Sequence, residues 1–245
     1  MAPKLEYSKS LGKMVRTESL DEQGILTWDL VRDAILDSKP DEAIEWLRYI
    51  RDSEGPGPKG PGSGGGAQRQ LAYIANKYGE EHVQKAIRWW RKKLMDAGNE
   101  PTYCMTPLER AQFHGDMERA AYSGPEGEKF EVKQEKDRYV MTLDPCGACG
   151  KARRAEVEGA GAKLGKTSKR YKWSWGKANV PYYCAHNCVW WEVMAIEDIG
   201  YPVMIYEWSE DPNEPCKVYF YKDPNLIPEK YFTRLGFKKD PKRFK

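Results

Sequence analysis

The stretch KFEVKQEKDRYVMTLDPCGACG (129–150) is where the pattern of the chain changes from helical to extended. Apolar residues alternate with polar ones on both sides of a polar pair at 136–137: Phe130, Val132, Tyr139, Met141 and Leu143. Strict alternation is typical of half-buried strands. The stretch therefore predicts a strand, a turn and a second strand that ends at a pair of cysteines.

The residues before this stretch have a helical period, because apolar side chains recur there at intervals of three and four. The expected inner-face positions of the first two helices are Ile25, Trp28, Val31, Ile35, Leu36, Ile44, Leu47 and Ile50. Pro40 would end the first helix, and Asp41 would cap the second. The pattern returns between 71 and 94, and a further helix is predicted over Pro107–Ala121.

The segment 53–66 interrupts the helical half with seven glycines and three prolines, so it is expected to be a flexible loop. The predicted organisation is an extended arm at 1–20, a helical region at 21–125 and an α+β region at 126–245. In the last region we expect a helix over 184–199 and strands over 201–208 and 217–221. The fold class is therefore α+β: an N-terminal antiparallel helical set followed by a small antiparallel sheet with a cysteine-led helix.

The charge of the chain is nearly balanced, with 40 Lys and Arg against 37 Asp and Glu among 245 residues. A dedicated nucleic-acid binder usually has a concentrated basic excess, so we expect no nucleic-acid partner. No apolar run approaches the roughly 18 residues that span a bilayer, so we expect no membrane partner. The first residues, MAPKLEYSKSLGKMVR, contain no apolar leader segment. These observations lead us to expect a cytoplasmic protein.

Five of the six cysteines occur in three short segments of the C-terminal half. DPCGACG (144–150) has C-x2-C spacing, and YYCAHNC (182–188) places a histidine between two cysteines. Thiolates at C-x2-C spacing can form one edge of a zinc tetrahedron. The candidate metal ligands are Cys146, Cys149, Cys184, His186, Cys188 and Cys216. Zinc is the expected ion and iron the alternative, and buried core thiols with no metal are the simpler explanation.

Two further residues are candidate catalytic groups if the metal is catalytic. Glu192 follows Cys188 by one helical turn, so its carboxylate is a candidate general base; the alternative is a solvated carboxylate on a helix. His114 lies within the predicted Pro107–Ala121 helix, where a histidine of the core is the alternative.

Aromatic residues surround the cysteine segments, and we expect Trp173, Trp175 and Tyr183 to form a substrate-binding wall for a planar ligand. An aromatic core is the competing interpretation. The basic stretch beside them, KLGKTSKRYKWSWGK (163–177), would also suit RNA, but the balanced charge argues against it.

The order of strand pair, cysteine-led helix, strand and PCKVYFYK resembles the family of L-2-amino-thiazoline-4-carboxylic acid hydrolases over about Lys129–Gly236. The resemblance rests on the thiols Cys146, Cys184, Cys188 and Cys216, and on the helix end at Glu197, Asp198 and Gly200. It implies a ring-opening amidine hydrolase. The chain departs from the family pattern in the additional Cys149 and in the C-x-H-x-C form at 184–188. The vinyl-reductase-type small-molecule-binding domains are a more distant likeness.

The sequence as a whole predicts a metal-dependent hydrolase or lyase that cleaves a C–N bond in a small cyclic or aromatic nitrogen compound. Two alternatives stay open. One is a sensor-like small-molecule-binding module with a structural zinc, and the other is a thiol-redox protein that uses Cys146 and Cys149. Exposed aromatic side chains would also suit a homo-oligomer.

Overall fold

The computed structural model describes residues 4–9, 13–54, 63–96, 102–121, 129–147, 149–159 and 163–245. Within them, helices form most of the N-terminal half, and the C-terminal half contains a four-stranded antiparallel sheet. The predicted α+β class is confirmed. No helix in these residues is long and apolar enough to cross a bilayer.

The N-terminal half contains six helices among its described residues: α1 (Leu20–Gln23), α2 (Thr27–Leu36), α3 (Pro40–Tyr49), α4 (Ser63–Tyr78), α5 (Glu81–Asp96) and α6 (Pro107–Ala121). The bounds of α6 are those that the sequence predicts. Pro40 is the first residue of α3, a position that suits proline because its missing N–H would have no helical partner there. Lys39 rather than Asp41 therefore occupies the N-cap.

The inner faces of α2 and α3 differ from those expected. Val31 and Ala34 of α2 are buried, and Val31 packs in one cluster with Trp46 and Tyr49 of α3. Six expected inner residues are instead at least two-fifths exposed: Ile25, Trp28, Ile35, Leu36, Ile44 and Leu47. The apolar stripe is wider than one helix face, and the large rings of α3 fill the interior. Small residues of α2 can approach these rings, so the larger aliphatic side chains are turned outward.

The first residues form a hairpin rather than a single extended arm. Strands β1 (Leu5–Ser8) and β2 (Lys13–Arg16) pair antiparallel, with Leu5 opposite Arg16. The Arg16 side chain is 2% exposed and donates to the Glu22 carbonyl oxygen at 2.8 Å, so it ties the hairpin to α1.

A buried group of charges joins this hairpin to the helices. Arg119 of α6 donates from Nε to Glu54 at 2.7 Å and also pairs with Asp116. Asp116 in turn accepts from the Tyr49 hydroxyl at 2.8 Å and pairs with Lys13 of β2 at 2.6 Å. These contacts connect β2, α3 and α6 through side chains that are distant in sequence.

Only part of the expected loop at 53–66 is described. Residues 53 and 54 belong to a π-helical turn, Ile50–Glu54, and 63–66 form the first turn of α4. The segment 55–62, which holds all three prolines, lies outside the described residues.

The sheet contains β3 (Lys129–Gln134), β4 (Arg138–Asp144), β5 (Ile205–Glu207) and β6 (Cys216–Tyr221) in the order β3-β4-β6-β5. Phe130 lies opposite Leu143, and Leu143 lies opposite Cys216. Of the predicted alternating residues, Phe130, Val132, Met141 and Leu143 are buried in the main core, and Tyr139 is only partly buried. Val218 and Phe220 of β6 are buried in the same core.

The described residues of this half also form four short helices: α7 (Gly150–Val157), α8 (Ala185–Asn187), α9 (Met194–Ile199) and α10 (Lys230–Thr233). The predicted helix over 184–199 is present, but a π-helical turn, Cys188–Val193, separates α8 from α9. Gly200 ends α9 with a φ of 92°, which favours glycine. A π-helical turn such as Cys188–Val193 widens a helix by one residue, and such turns often occur at functional sites.

Candidate functional site

Four thiols from three segments meet next to the sheet. Cys146 and Cys149 lie in the turn between β4 and α7, Cys184 lies directly before α8, and Cys216 begins β6. All four side chains are less than a tenth exposed, and none is in a disulfide. The pairing of Leu143 with Cys216 explains part of this arrangement, because it places β6 beside the end of β4 just before Cys146.

The four thiols contact each other as two pairs. The thiol of Cys184 interacts with that of Cys149, and the thiol of Cys216 interacts with that of Cys146. Cys184 and Cys216 also interact electrostatically, which links the two pairs. We call these four residues the thiol cluster. These contacts join different segments of the chain.

The environment of the thiol cluster disfavours negative charge. Burial raises the pKa of Cys184 well above its usual value, and the neighbouring thiols raise it further. The neighbouring thiol of Cys146, followed by burial, raises the pKa of Cys216. Arg153 opposes both shifts. Its Nη2 donates to the carbonyl oxygens of Ser209 and Glu210 at 2.8 and 2.6 Å.

At the start of α7, Gly150 lies very close to the turn that contains Cys146 and Cys149. A Cβ added to Gly150 would lie 2.9 Å from the Pro145 Cβ and 3.3 Å from the Cys146 Cβ. Such distances are shorter than ordinary van der Waals contacts. Glycine at this position therefore lets α7 begin directly against the cysteine turn.

Among the described residues, no group of three or more His, Cys, Asp or Glu side chains already stands at the mutual distances that hold a metal ion. The thiols of the cluster meet pairwise. Binding of one ion by all four would therefore require the thiols to move from these positions.

The structure places the two other predicted ligands outside the thiol cluster. The Cys188 thiol is fully buried and donates to the Lys172 carbonyl oxygen at 3.7 Å. His186 is hydrogen-bonded through Nδ1 to the Tyr183 carbonyl oxygen, and its ring centre lies 4.6 Å from that of Tyr183. Burial lowers the pKa of His186 to about 4, so the ring is neutral near pH 7. The six predicted ligands thus separate into four that meet and two that do not.

His114 and Tyr206 form a polar contact in the core. The His114 Nε2 lies 2.7 Å from the Tyr206 hydroxyl, and Glu118, one turn further along α6, is 3.6 Å away. Burial lowers the pKa of His114 to about 3, so its ring is also neutral. Its Nδ1 is buried and has no hydrogen-bond partner among the described residues. Tyr206 interacts electrostatically with Cys146, which shows that this contact lies near the thiol cluster.

Glu192 is fully buried, so it is not the solvated carboxylate that was the alternative to a general base. It accepts hydrogen bonds from the Trp175 indole at 2.7 Å and from the Tyr206 backbone N–H at 3.0 Å. Arg234 pairs with it at 2.5 Å. These three donors give Glu192 the contacts of a buried structural ion pair, and its catalytic role stays a prediction.

The predicted aromatic wall lies mostly in the core. Trp173 is stacked with Tyr171 at 4.7 Å between ring centres, and Trp175 is stacked with Trp208 at 6.4 Å; both predicted tryptophans are 4% exposed. Tyr183 is the predicted residue that interacts with the thiol cluster: burial raises the pKa of its hydroxyl, and Cys149 raises it further.

Sequence reasoning missed three residues near the thiol cluster: Glu118, Arg153 and Tyr206. Arg153 follows Cys149 by one helical turn, and this spacing is a signal that could have identified it. Glu118 and Tyr206 reach the region only through the packing of α6 and β5, for which no local pattern exists.

No known protein family, no curated protein and no solved structure matches this chain. The resemblance to the aminothiazoline carboxylate hydrolases therefore stays a hypothesis based on the residues named above.

Proposed function

We propose that the chain is a metal-binding module that holds one zinc ion through Cys146, Cys149, Cys184 and Cys216. The observation that carries this proposal is the convergence of four buried thiols from three separate segments on one region. Four cysteines are a complete ligand set for a structural zinc site. Iron is the alternative ion, because the same set also suits it.

The electrostatics of the thiol cluster favour a cation over exchange of disulfides. The neighbouring thiols raise the pKa of Cys184 and of Cys216, and Arg153 is the cationic group that acts against this effect on both. A divalent ion would relieve the repulsion among thiolates and would release protons on binding. A redox-active thiol instead needs a lowered pKa to form the attacking thiolate.

The proposed ion has a structural role. Four protein ligands fill a tetrahedron and leave no position for water or substrate. The ion would fasten the turn before α7, the start of α8 and the start of β6 to each other. This arrangement corresponds to the binding module with a structural zinc rather than to a catalytic metal site.

Elemental analysis of the purified full-length chain, together with single Cys→Ser variants, tests the proposal. We expect about one equivalent of metal in the natural protein and less than about a tenth in each variant of the thiol cluster. Cys188→Ser is the matched control, because Cys188 is as deeply buried but lies outside the cluster. The proposal is wrong if the reduced natural protein contains less than about a tenth of an equivalent of zinc or iron.

A metal-dependent hydrolase is the second candidate, and the His114–Tyr206 contact beside the thiol cluster favours it. In this case three thiols would bind the ion, and the fourth position would hold water. X-ray absorption separates the candidates: four sulfur ligands support the structural site. Three sulfurs with one oxygen, together with turnover of a small cyclic amidine that His114→Gln abolishes, would support the hydrolase.

A further inference from the structure

A cavity of about 210 Å³ lies between the beginning of α6, the turn after α9 and the end of β6. At about 30 Å³ for each water, it has room for roughly seven. Three tyrosines line it, namely Tyr103, Tyr201 and Tyr221, together with apolar residues such as Pro202. A space of this size suits a ligand smaller than a typical drug molecule.

Arg110 of α6 lines the cavity and is 5% exposed. Its Nε donates to the Thr102 carbonyl oxygen at 2.8 Å, and its Nη2 donates to the Tyr103 carbonyl oxygen at 3.2 Å. Its guanidinium lies 5.9 Å from the centre of the Tyr201 ring. Within the described part of the chain, its Nη1 has no hydrogen-bond partner.

Among the residues that the structure describes, the wall of the cavity has positive charge and no negative charge. Lys222 is its second cationic residue, and no described Asp or Glu lines it. None of the described carboxylates forms an ion pair with Arg110. A buried charge without a counter-charge is strongly unfavourable, and an anion in the cavity would compensate it.

We propose that this cavity binds a small carboxylate with a flat apolar body, such as an aromatic acid. The carboxylate would accept from Nη1 of Arg110, and the body would lie against the tyrosine rings and Pro202. Two of the three guanidinium nitrogens are already used by backbone oxygens. Inorganic phosphate, which needs several donors around it, is therefore a poorer match than a ligand held mainly by apolar contact.

This site is separate from the thiol cluster. Cys216 and Tyr221 are the two ends of β6, and five residue steps along a strand correspond to about 17 Å. Binding of the carboxylate does not depend on the proposed zinc, so the two proposals fail or succeed independently.

Calorimetric titration of the natural protein with three probes tests the charge and the apolar body. Benzoate is the expected ligand, benzamide is its neutral isostere and inorganic phosphate is an anion without an apolar body. We expect benzoate to bind at least about tenfold more tightly than benzamide or phosphate. The proposal is overturned if benzoate fails to bind at about 10 mM, or if either of the other probes binds as tightly.

A substitution in the cavity locates the binding. Arg110→Lys keeps the charge but loses the position of Nη1, and we expect benzoate to bind about tenfold more weakly. Arg32→Lys is the control on the exposed surface of α2 and should bind benzoate as the natural protein does. Unchanged binding in Arg110→Lys would place benzoate elsewhere and overturn the proposal. If this variant does not fold, the proposal is judged by the comparison of benzoate with benzamide in the natural protein.

Discussion

Buried His114 makes the stability of the protein depend on pH, and His186, whose pKa is also lowered by burial, acts in the same direction. The charged or titratable groups around His114 are Glu118 on its own helix, Tyr206 on β5 and His186 on α8, and Phe220 of β6 covers the ring. Burial dominates among these influences, because the pKa of His114 falls to about 3. The folded protein therefore excludes the proton that the unfolded chain accepts near pH 6.5.

The expected consequence is a loss of stability in acid. The pKa of His114 is lower in the folded than in the unfolded state, so its full contribution is present above about pH 6.5. As the pH falls from 6.5 toward 3, the unfolded state gains the proton first, and the free energy of unfolding decreases by up to about 1.4 kcal/mol per pH unit. Urea unfolding at several pH values measures this slope.

The variant His114→Gln isolates this residue. Between pH 6 and pH 4, the free energy of unfolding of this variant should change less steeply with pH than that of the natural protein. The difference should correspond to about one proton fewer taken up on unfolding. The control His82→Gln changes an exposed histidine of α5 and should leave the slope unchanged. Equal slopes in all three proteins would contradict a neutral, buried His114.

Residue types and short spacings predicted much of the candidate site but could not define its ligand set. Cys184 and Cys188 are four residues apart and would share a face of a regular α-helix. In the structure Cys184 precedes α8, and Cys188 begins the π-helical turn. Only the first therefore reaches the thiol cluster. The choice depends on which side of this segment faces the turn that contains Cys146 and Cys149, and no local pattern contains that information.

At the level of elements, two glycines at the beginnings of helices differ in what surrounds them. Gly150 begins α7 with Pro145 and Cys146 in close approach. Gly66 lies in the first turn of α4, and a Cβ added there would meet nothing within 4 Å. The same substitution should therefore have opposite effects at the two positions.

We expect Gly150→Ala to lower the free energy of unfolding by about 1–3 kcal/mol, because its methyl group would displace the cysteine turn. Gly66→Ala should raise it by about 0.5–1 kcal/mol, since alanine favours a helix and no clash opposes it. Chemical denaturation of both variants tests the pair. A stabilised Gly150→Ala would show that the turn before α7 has more room than the structure gives it.

Elements with a clear period were predicted well, whereas those fixed by long-range contacts were not. Alternation defined β3 and β4, and α6 has the bounds that the sequence indicated. The hairpin β1–β2 was missed because its strands are four residues long and polar. Its contacts with the helices, such as those of Arg16, decide its structure, and they are formed only in the folded chain.

Across the whole molecule, the N-terminal hairpin and the helices depend on one buried group of charges. Arg119 is 3% exposed and contacts Glu54 and Asp116, and Asp116 also holds Lys13. Removal of the guanidinium would leave two carboxylates buried with less compensation. A break of this kind is far more damaging than the loss of an exposed ion pair.

The variant Arg119→Met should lower the free energy of unfolding by about 3–5 kcal/mol. Arg51→Met removes an exposed pair with Asp52 and should change it by less than about 0.5 kcal/mol. Thermal and urea unfolding of the two variants provide the comparison. Similar stabilities would mean that the buried charges are not required to hold the hairpin against the helices.

The positions of the four thiols along the chain also determine when their site can exist during synthesis. Cys146 and Cys149 are translated about seventy residues before Cys216. Strand β6 must then insert between β4 and β5 to bring Cys216 to Cys146. A nascent chain that ends before this strand can present three thiols at most. An ion that requires all four is therefore acquired after translation has passed β6, and its incorporation would report that the C-terminal half has been assembled.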